Sequence, residues 1–137
     1  MCIIQAGYFT KNGSAISGSS CNVYANDKIN EDIIATFSAS ELNINYVAFM
    51  KIKRPDNIIV EINTSPIKVT STTETFTFAD WATPIPNLGT FTILESMIYN
   101  DDNGYLVCSG NPSGGFCQAL TVSAVPCIIP VCNFIVE

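Results

Sequence analysis

Histidine is absent from this chain of 137 residues. Its absence removes the commonest general base near neutral pH and every mixed cysteine–histidine zinc site. Covalent c-type haem attachment is excluded too, because its Cys-x-x-Cys-His signature needs the missing residue. Charge is also scarce: Asp, Glu, Lys and Arg make up 13% of the chain, against roughly 25% in ordinary globular domains. Six basic residues face twelve acidic ones, for a net charge of −6. Lys51, Lys53 and Arg54 form the one basic grouping. It is too small to follow a phosphate backbone, so nucleic acid is not an expected partner. No apolar run reaches the length of a membrane helix, and membrane insertion is not expected. Residues 1–4 are too short, and lack the basic start, for a secretory signal. That leaves a processed terminus or the route of a virion component. Ala, Leu, Lys and Glu are sparse, and no stretch shows sustained helical spacing.

What is present is β-forming. Apolar residues reach 47%, enough for one domain to bury a sizeable core. The stretch 88–125 organises the chain. Residues 90–99 form a strand in which Phe91, Ile93 and Met97 are expected on one face. Asp102-Asn103-Gly104 then tolerates positive φ and reverses the chain. Residues 120–125 return with Leu120, Val122 and Ala124 on one face. Earlier, residues 33–37 and 46–53 read as strands, the second with Val47, Phe49 and Ile52 toward the core and an interruption between them. Arg54-Pro55-Asp56-Asn57 is a turn signal, and residues 58–62 pair back. Phe76 and Phe78 share one face of an alternating strand, Thr75 and Thr77 the other. Such strands recur about every ten residues between Pro, Asn, Asp and Gly, the rhythm of a sandwich or barrel.

The Thr-Phe-Thr-Phe strand at 75–78, Gly89-Thr90-Phe91-Thr92-Ile93 and the Asn103-Gly104 turn before the last core strand add a finer pattern. Over residues 32–125 the chain resembles the immunoglobulin-like, PKD-like modules of bacterial and archaeal surface proteins. The resemblance implies an all-β, immunoglobulin-like antiparallel β-sandwich with a structural or adhesive role, and no catalytic residues. It departs from the pattern at residues 105–118 and at both termini. The expected organisation is one domain over 1–137. Residues 1–20 supply an N-terminal strand and loop, 21–125 the sandwich core, and 126–137 a C-terminal strand.

Six cysteines, Cys2, Cys21, Cys108, Cys117, Cys127 and Cys132, form an even set that favours disulfides and an oxidising compartment. No Cys-x-x-Cys pair seeds a metal site, and neither metal nor cofactor is expected. Cys108 and Cys117 bracket a short flexible loop and are the first predicted pair. Cys127 with Cys132, and Cys2 with Cys21, would complete a local set, although six cysteines allow fifteen pairings. Asn12-Gly13-Ser14 and Asn63-Thr64-Ser65 are glycosylation sequons. Asp101-Asp102-Asn103 offers oxygens to calcium, but reads more simply as a turn. Glu31-Asp32 is placed in a solvated turn, and Trp81 in the core beside the Phe-x-Phe strand. There is no nucleophile elbow and no phosphate loop, so no enzyme is expected.

Both termini are apolar, and sparse charge is easier to understand when neighbours cover part of the surface. Cys2, Ile3 and Ile4 at one end, and Ile128, Ile129, Val131, Phe134, Ile135 and Val136 at the other, are the candidate assembly strands. The leading expectation is a structural subunit that assembles with copies of itself into an extracellular filament or cell-surface layer by strand exchange. A virion component, such as a capsid decoration or tail protein, is the alternative. A carbohydrate- or receptor-binding adhesin, stacking a glycan on Trp81 with Tyr99 or Tyr105, is a third. If the N-terminal strand is the donor, removing residues 1–7 should abolish assembly and leave a soluble fold.

Overall fold

A computed structural model describes residues 1–126; residues 127–137 lie outside it. With them lie the candidate pair Cys127 and Cys132 and the six C-terminal assembly candidates. The described chain is an all-β sandwich with one short 3-10 turn, Ala39–Glu41. The strands are β1 (Ile3–Lys11), β2 (Ser14–Ala15), β3 (Ser20–Tyr24), β4 (Ile29–Thr36), β5 (Ile44–Lys53) and β6 (Ile59–Asn63). They continue with β7 (Ile67–Val69), β8 (Thr73–Thr77), β9 (Gly89–Asn100), β10 (Leu106–Gly110) and β11 (Ala119–Ser123).

One sheet has the order β2-β1-β4-β8; the other runs β3-β11-β9-β5-β6. Two strands are long enough to hold two neighbours on a single side. β9 takes β11 along residues 89–92 and β10 along residues 96–99, while β5 takes β6 and then β7. All pairings are antiparallel except β3 with β11, which is parallel. The core between the sheets is filled by Phe9, Ile29, Ile33, Tyr46, Met50, Phe76, Ile93, Ile98 and Leu120, all essentially inaccessible to solvent.

The expected alternation holds where nothing interrupts it. Phe76 and Phe78 are buried while Thr75 and Thr77 are exposed, and Leu120 and Val122 point inward. It fails in two places. Opposite Lys51 and Ile52, β9 carries one extra residue, Leu94, and a bulge of this kind reverses the side-chain phase. Phe91 and Ile93 face the core before it, Ser96 and Ile98 after it, so Met97 is buried on the opposite face. In β5 the inward residues are Tyr46, Ala48, Met50 and Ile52. Val47 and Phe49 lie outside, half-buried, with Phe49 packed edge-on against Tyr99 at 5.2 Å.

The cysteine pairing differs from the local set expected. Cys2 is bonded to Cys108, and Cys21 to Cys117, with Cα separations of 5.6 and 5.8 Å. Cys108 lies in β10 and Cys117 just before β11, so the loop between them is not a hairpin that the two could close. Instead it runs beside β1. Gly7 N–H donates to the Pro112 carbonyl at 3.0 Å and Phe9 N–H to the Cys117 carbonyl at 2.9 Å. The Gln118 side chain donates to the Gly7 carbonyl at 3.0 Å. Residues 1–20 are therefore an integral part of the sandwich. β1 pairs with β4 along its whole length, and Cys2 is further held by its N–H donating to Glu41.

This placement overturns the expectation for an N-terminal truncation: removing residues 1–7 would delete most of a buried strand and one disulfide. Each disulfide closes a long loop, with sequence separations of 106 and 96 residues. Replacing Cys21 and Cys117 together by Ala should lower stability by roughly 2–5 kcal/mol, read from the denaturant midpoint of the purified chain. Gly7 marks a close approach of the sheets, where an added Cβ would clash with Ser96 Oγ. Gly7→Ala should cost about 1–3 kcal/mol. Combining it with Ser96→Ala should recover part of that loss in a double-mutant cycle.

Candidate functional site

A two-sheet sandwich has two long seams, and here they are treated differently. The seam beside β1 is covered by residues 111–118 and carries the disulfides. The opposite seam lies between β6 and β8, the last strands of their sheets, which have no strand neighbour on their outer sides among the described residues. It is closed at one end, where residues 70–72 carry the chain from β7 to β8 and Phe37 N–H donates to the Thr72 carbonyl. From there it widens into a trough.

Three cavities of about 490, 430 and 270 Å³ line up along it. The first two share Asn63, Phe78 and Ala79; the second and third share Glu31, Ile62 and Trp81. One wall is β6 with Val60 and Ile62, whose alternation leaves them half-buried while Glu61 faces out. The other wall is Phe76, Phe78 and Trp81. Ile85, Phe91 and Ile52 line the wide end. Beside that end Ile58 and Ile59 are 53% and 57% exposed, although both are large and apolar.

The polar group in this trough is one that the sequence reading misplaced. Glu31 is not in a turn. β4 begins at Ile29, and its core-facing residues are Ile29, Glu31, Ile33 and Ala35, so a carboxyl occupies a core position at 1% exposure. The Trp81 indole N–H donates to Glu31 Oε2, while Oε1 is buried with no hydrogen-bond partner among the described residues. Burial pushes this carboxyl up from 4.5 to about 8; the Trp81 hydrogen bond opposes the rise and the Asp32 charge adds to it. Glu31 is thus a neutral acid at pH 7. Arg54 also lines the wide end, and its Nε is a second buried polar atom with no hydrogen-bond partner among the described residues, although its guanidinium reaches Asp56. A run of alternating apolar residues starting at Ile29 was the signal that would have placed Glu31 inside.

The remaining sequence candidates are dispersed. Asn12 sits with Gly13 in the tight β1–β2 turn, both at positive φ, and is exposed. Asn63 is the exposed last residue of β6, on the trough rim, with its amide donating to the Thr64 carbonyl. Asp101, Asp102 and Asn103 form the turn after β9, with Asp102 and Asn103 N–H both donating to Asn100 Oδ1. Ile3 is 51% exposed, whereas Cys2 and Ile4 are buried within their own domain. Trp81 packs against Phe91 at 4.8 Å and Phe9 at 5.8 Å, and Tyr99 against Phe49; Tyr105, at 73% exposed, is the open ring of the three proposed for glycan stacking.

No protein-family model matches the chain, and comparison with curated proteins finds no match. Two disulfides in a small all-β domain are compatible with an extracellular structural domain, in line with an oxidising environment. No helix among the described residues is long and apolar enough to cross a membrane.

The buried acid makes a directional prediction. Its folded-state pKa lies above the unfolded value, so the folded state holds a proton that the unfolded state releases. Stability should be greatest below about pH 4.5 with respect to this group, and fall as pH rises through 8. Glu31→Gln keeps an acceptor for Trp81 and cannot ionise. Its unfolding midpoint should exceed that of the parent at pH 9, by on the order of a few kcal/mol, and the difference should shrink toward pH 5.

Proposed function

We propose that the chain is a structural subunit that associates with copies of itself into an extracellular filament or surface layer. The observation that carries this reading is the open seam, where two strand edges with no strand neighbour among the described residues flank a trough walled by Ile62, Phe76, Phe78 and Trp81, with Asn63, Thr64 and Ser65 toward its closed end. Unpaired edges next to buried apolar surface are a template for adding another strand, and folded proteins ordinarily cover or charge such edges. Here β8 carries Glu74 and β6 carries Glu61, while Ile58, Ile59 and Ile62 leave the neighbouring surface apolar. Low overall charge and the resemblance to immunoglobulin-like surface modules support the same reading. The N-terminal strand pairs with β4 of its own sheet, so this reading does not call on it as the donor.

The test is sedimentation velocity and electron microscopy of the purified, oxidised full chain over a range of concentrations. Ordered polymers are expected without added ligand. Ile62→Lys places a charge on the trough wall, and should leave a folded monomer with at least a tenfold higher assembly threshold. A parent chain that stays monomeric at every concentration overturns the reading. So does an Ile62→Lys chain that polymerises normally.

A further inference from the structure

We infer that the trough between β6 and β8 receives residues 131–137 of a neighbouring copy as an added strand. The inference rests on the assembly reading above and names the segment that carries it.

Length is the first argument. Val60 and Ile67 pair with Ile52 and Tyr46 of β5, so the open seam between them runs the length of seven strand residues, about 23 Å at about 3.3 Å per residue. Pro130 has no N–H to give to a ladder, which sets the start of a pairing stretch at Val131. Residues 131–137 extend about 23 Å on the same rise. Chemistry is the second argument. The segment reads Val-Cys-Asn-Phe-Ile-Val-Glu, uncharged until its last side chain. It would bury apolar surface against Ile62, Phe76, Phe78 and Trp81, while its backbone pairs the two free edges. At the wide end, Glu31 Oε1 and Arg54 Nε are buried without hydrogen-bond partners among the described residues. A protonated Glu31 and the Arg54 N–H are donors that strand carbonyls would satisfy.

Direction is the third argument, and it points the tail toward a neighbour. β11 ends at Ser123, whose carbonyl accepts from Ala25 N–H, and the Ala25 carbonyl accepts from Ile85 N–H. Ile85 lines the wide end, so the described chain finishes at the trough's open end, heading outward. β6 runs antiparallel to β11, two antiparallel pairings beyond β9. To fill its own trough the tail would have to reverse and cross three strands, about 14 Å of sheet. Continuing outward sends it to the next copy. Such a head-to-tail contact does not close on itself and builds a filament.

The test uses the full chain with p-benzoylphenylalanine in place of Phe134, mixed from ¹⁴N and ¹⁵N preparations, assembled and irradiated. Mass spectrometry should find adducts joining isotopically different copies, at residues of β6 or β8. An excess of a synthetic peptide of residues 127–137 should shorten polymers of the parent chain at least tenfold. Adducts to β6 or β8 within one copy would overturn the inference, as the tail would then fill its own trough. Adducts elsewhere in assembled polymers, or polymer lengths unchanged by the peptide, would overturn it while leaving self-assembly standing. Absence of assembly by sedimentation would remove the reading under it as well.

Discussion

Every strand edge exposes N–H and C=O groups that need partners, and a two-layer fold must meet that demand along both seams. This chain meets it on one side with a covering segment. There the segment between β10 and β11 lies against β1, main-chain hydrogen bonds hold it, and the two disulfides flank the contact. The other side has neither covalent ties nor a covering segment among the described residues. The asymmetry accounts for where the cavities, the exposed isoleucines and the misplaced acid are found. A fold locked along one margin can leave the other unfilled, because the locked margin keeps the sheets in register.

Glu31 shows what the open side costs. A carboxyl at a core position is unfavourable unless it is neutral and hydrogen-bonded. Trp81 satisfies one oxygen and burial keeps the proton on the acid. The other oxygen has no partner among the described residues, in a strand whose neighbouring inward residues are all apolar. Local rules are broken in this way most often where a surface waits for something else. The same strand backbone is otherwise orthodox: Phe78 N–H donates to the Glu31 carbonyl and β8 follows β4 in regular register.

Much of the architecture was legible from residue order. Alternation found β8 and β11, and the turn residues at 54–57 separated β5 from β6; the turn at 101–104 leads into β10, where the return strand was expected at 120–125. The failures have physical causes. A single extra residue, Leu94, moved Met97 off the face of Ile93, and bulges leave no mark in composition. β5 is apolar on both faces, so Val47 and Phe49 could not be told from Ala48 and Met50 by hydrophobicity alone. β10 was hidden in a loop rich in Gly, Ser and Asn, and with it the reason that Cys108 reaches Cys2. Disulfide partners depend on which strands become neighbours across the sheets, and sequence proximity does not encode that. The trough was invisible for a similar reason: it lies between β6 and β8, which become neighbours only across the folded sandwich.

The cross-links also bear on how the molecule would carry tension. Cys2–Cys108 makes residues 2–108 a covalent ring, and Cys21–Cys117 makes a second ring that overlaps it. A pull that enters at β6 and leaves through Pro126 has a shorter covalent path through Cys21–Cys117 than along the backbone, because Val60 lies nearer in sequence to Cys21 than to Cys117. Even with its hydrogen bonds broken, that segment could not pay out its full contour. Extension would stop early, with the Cys21–Cys117 bond bearing the load in place of the sheets.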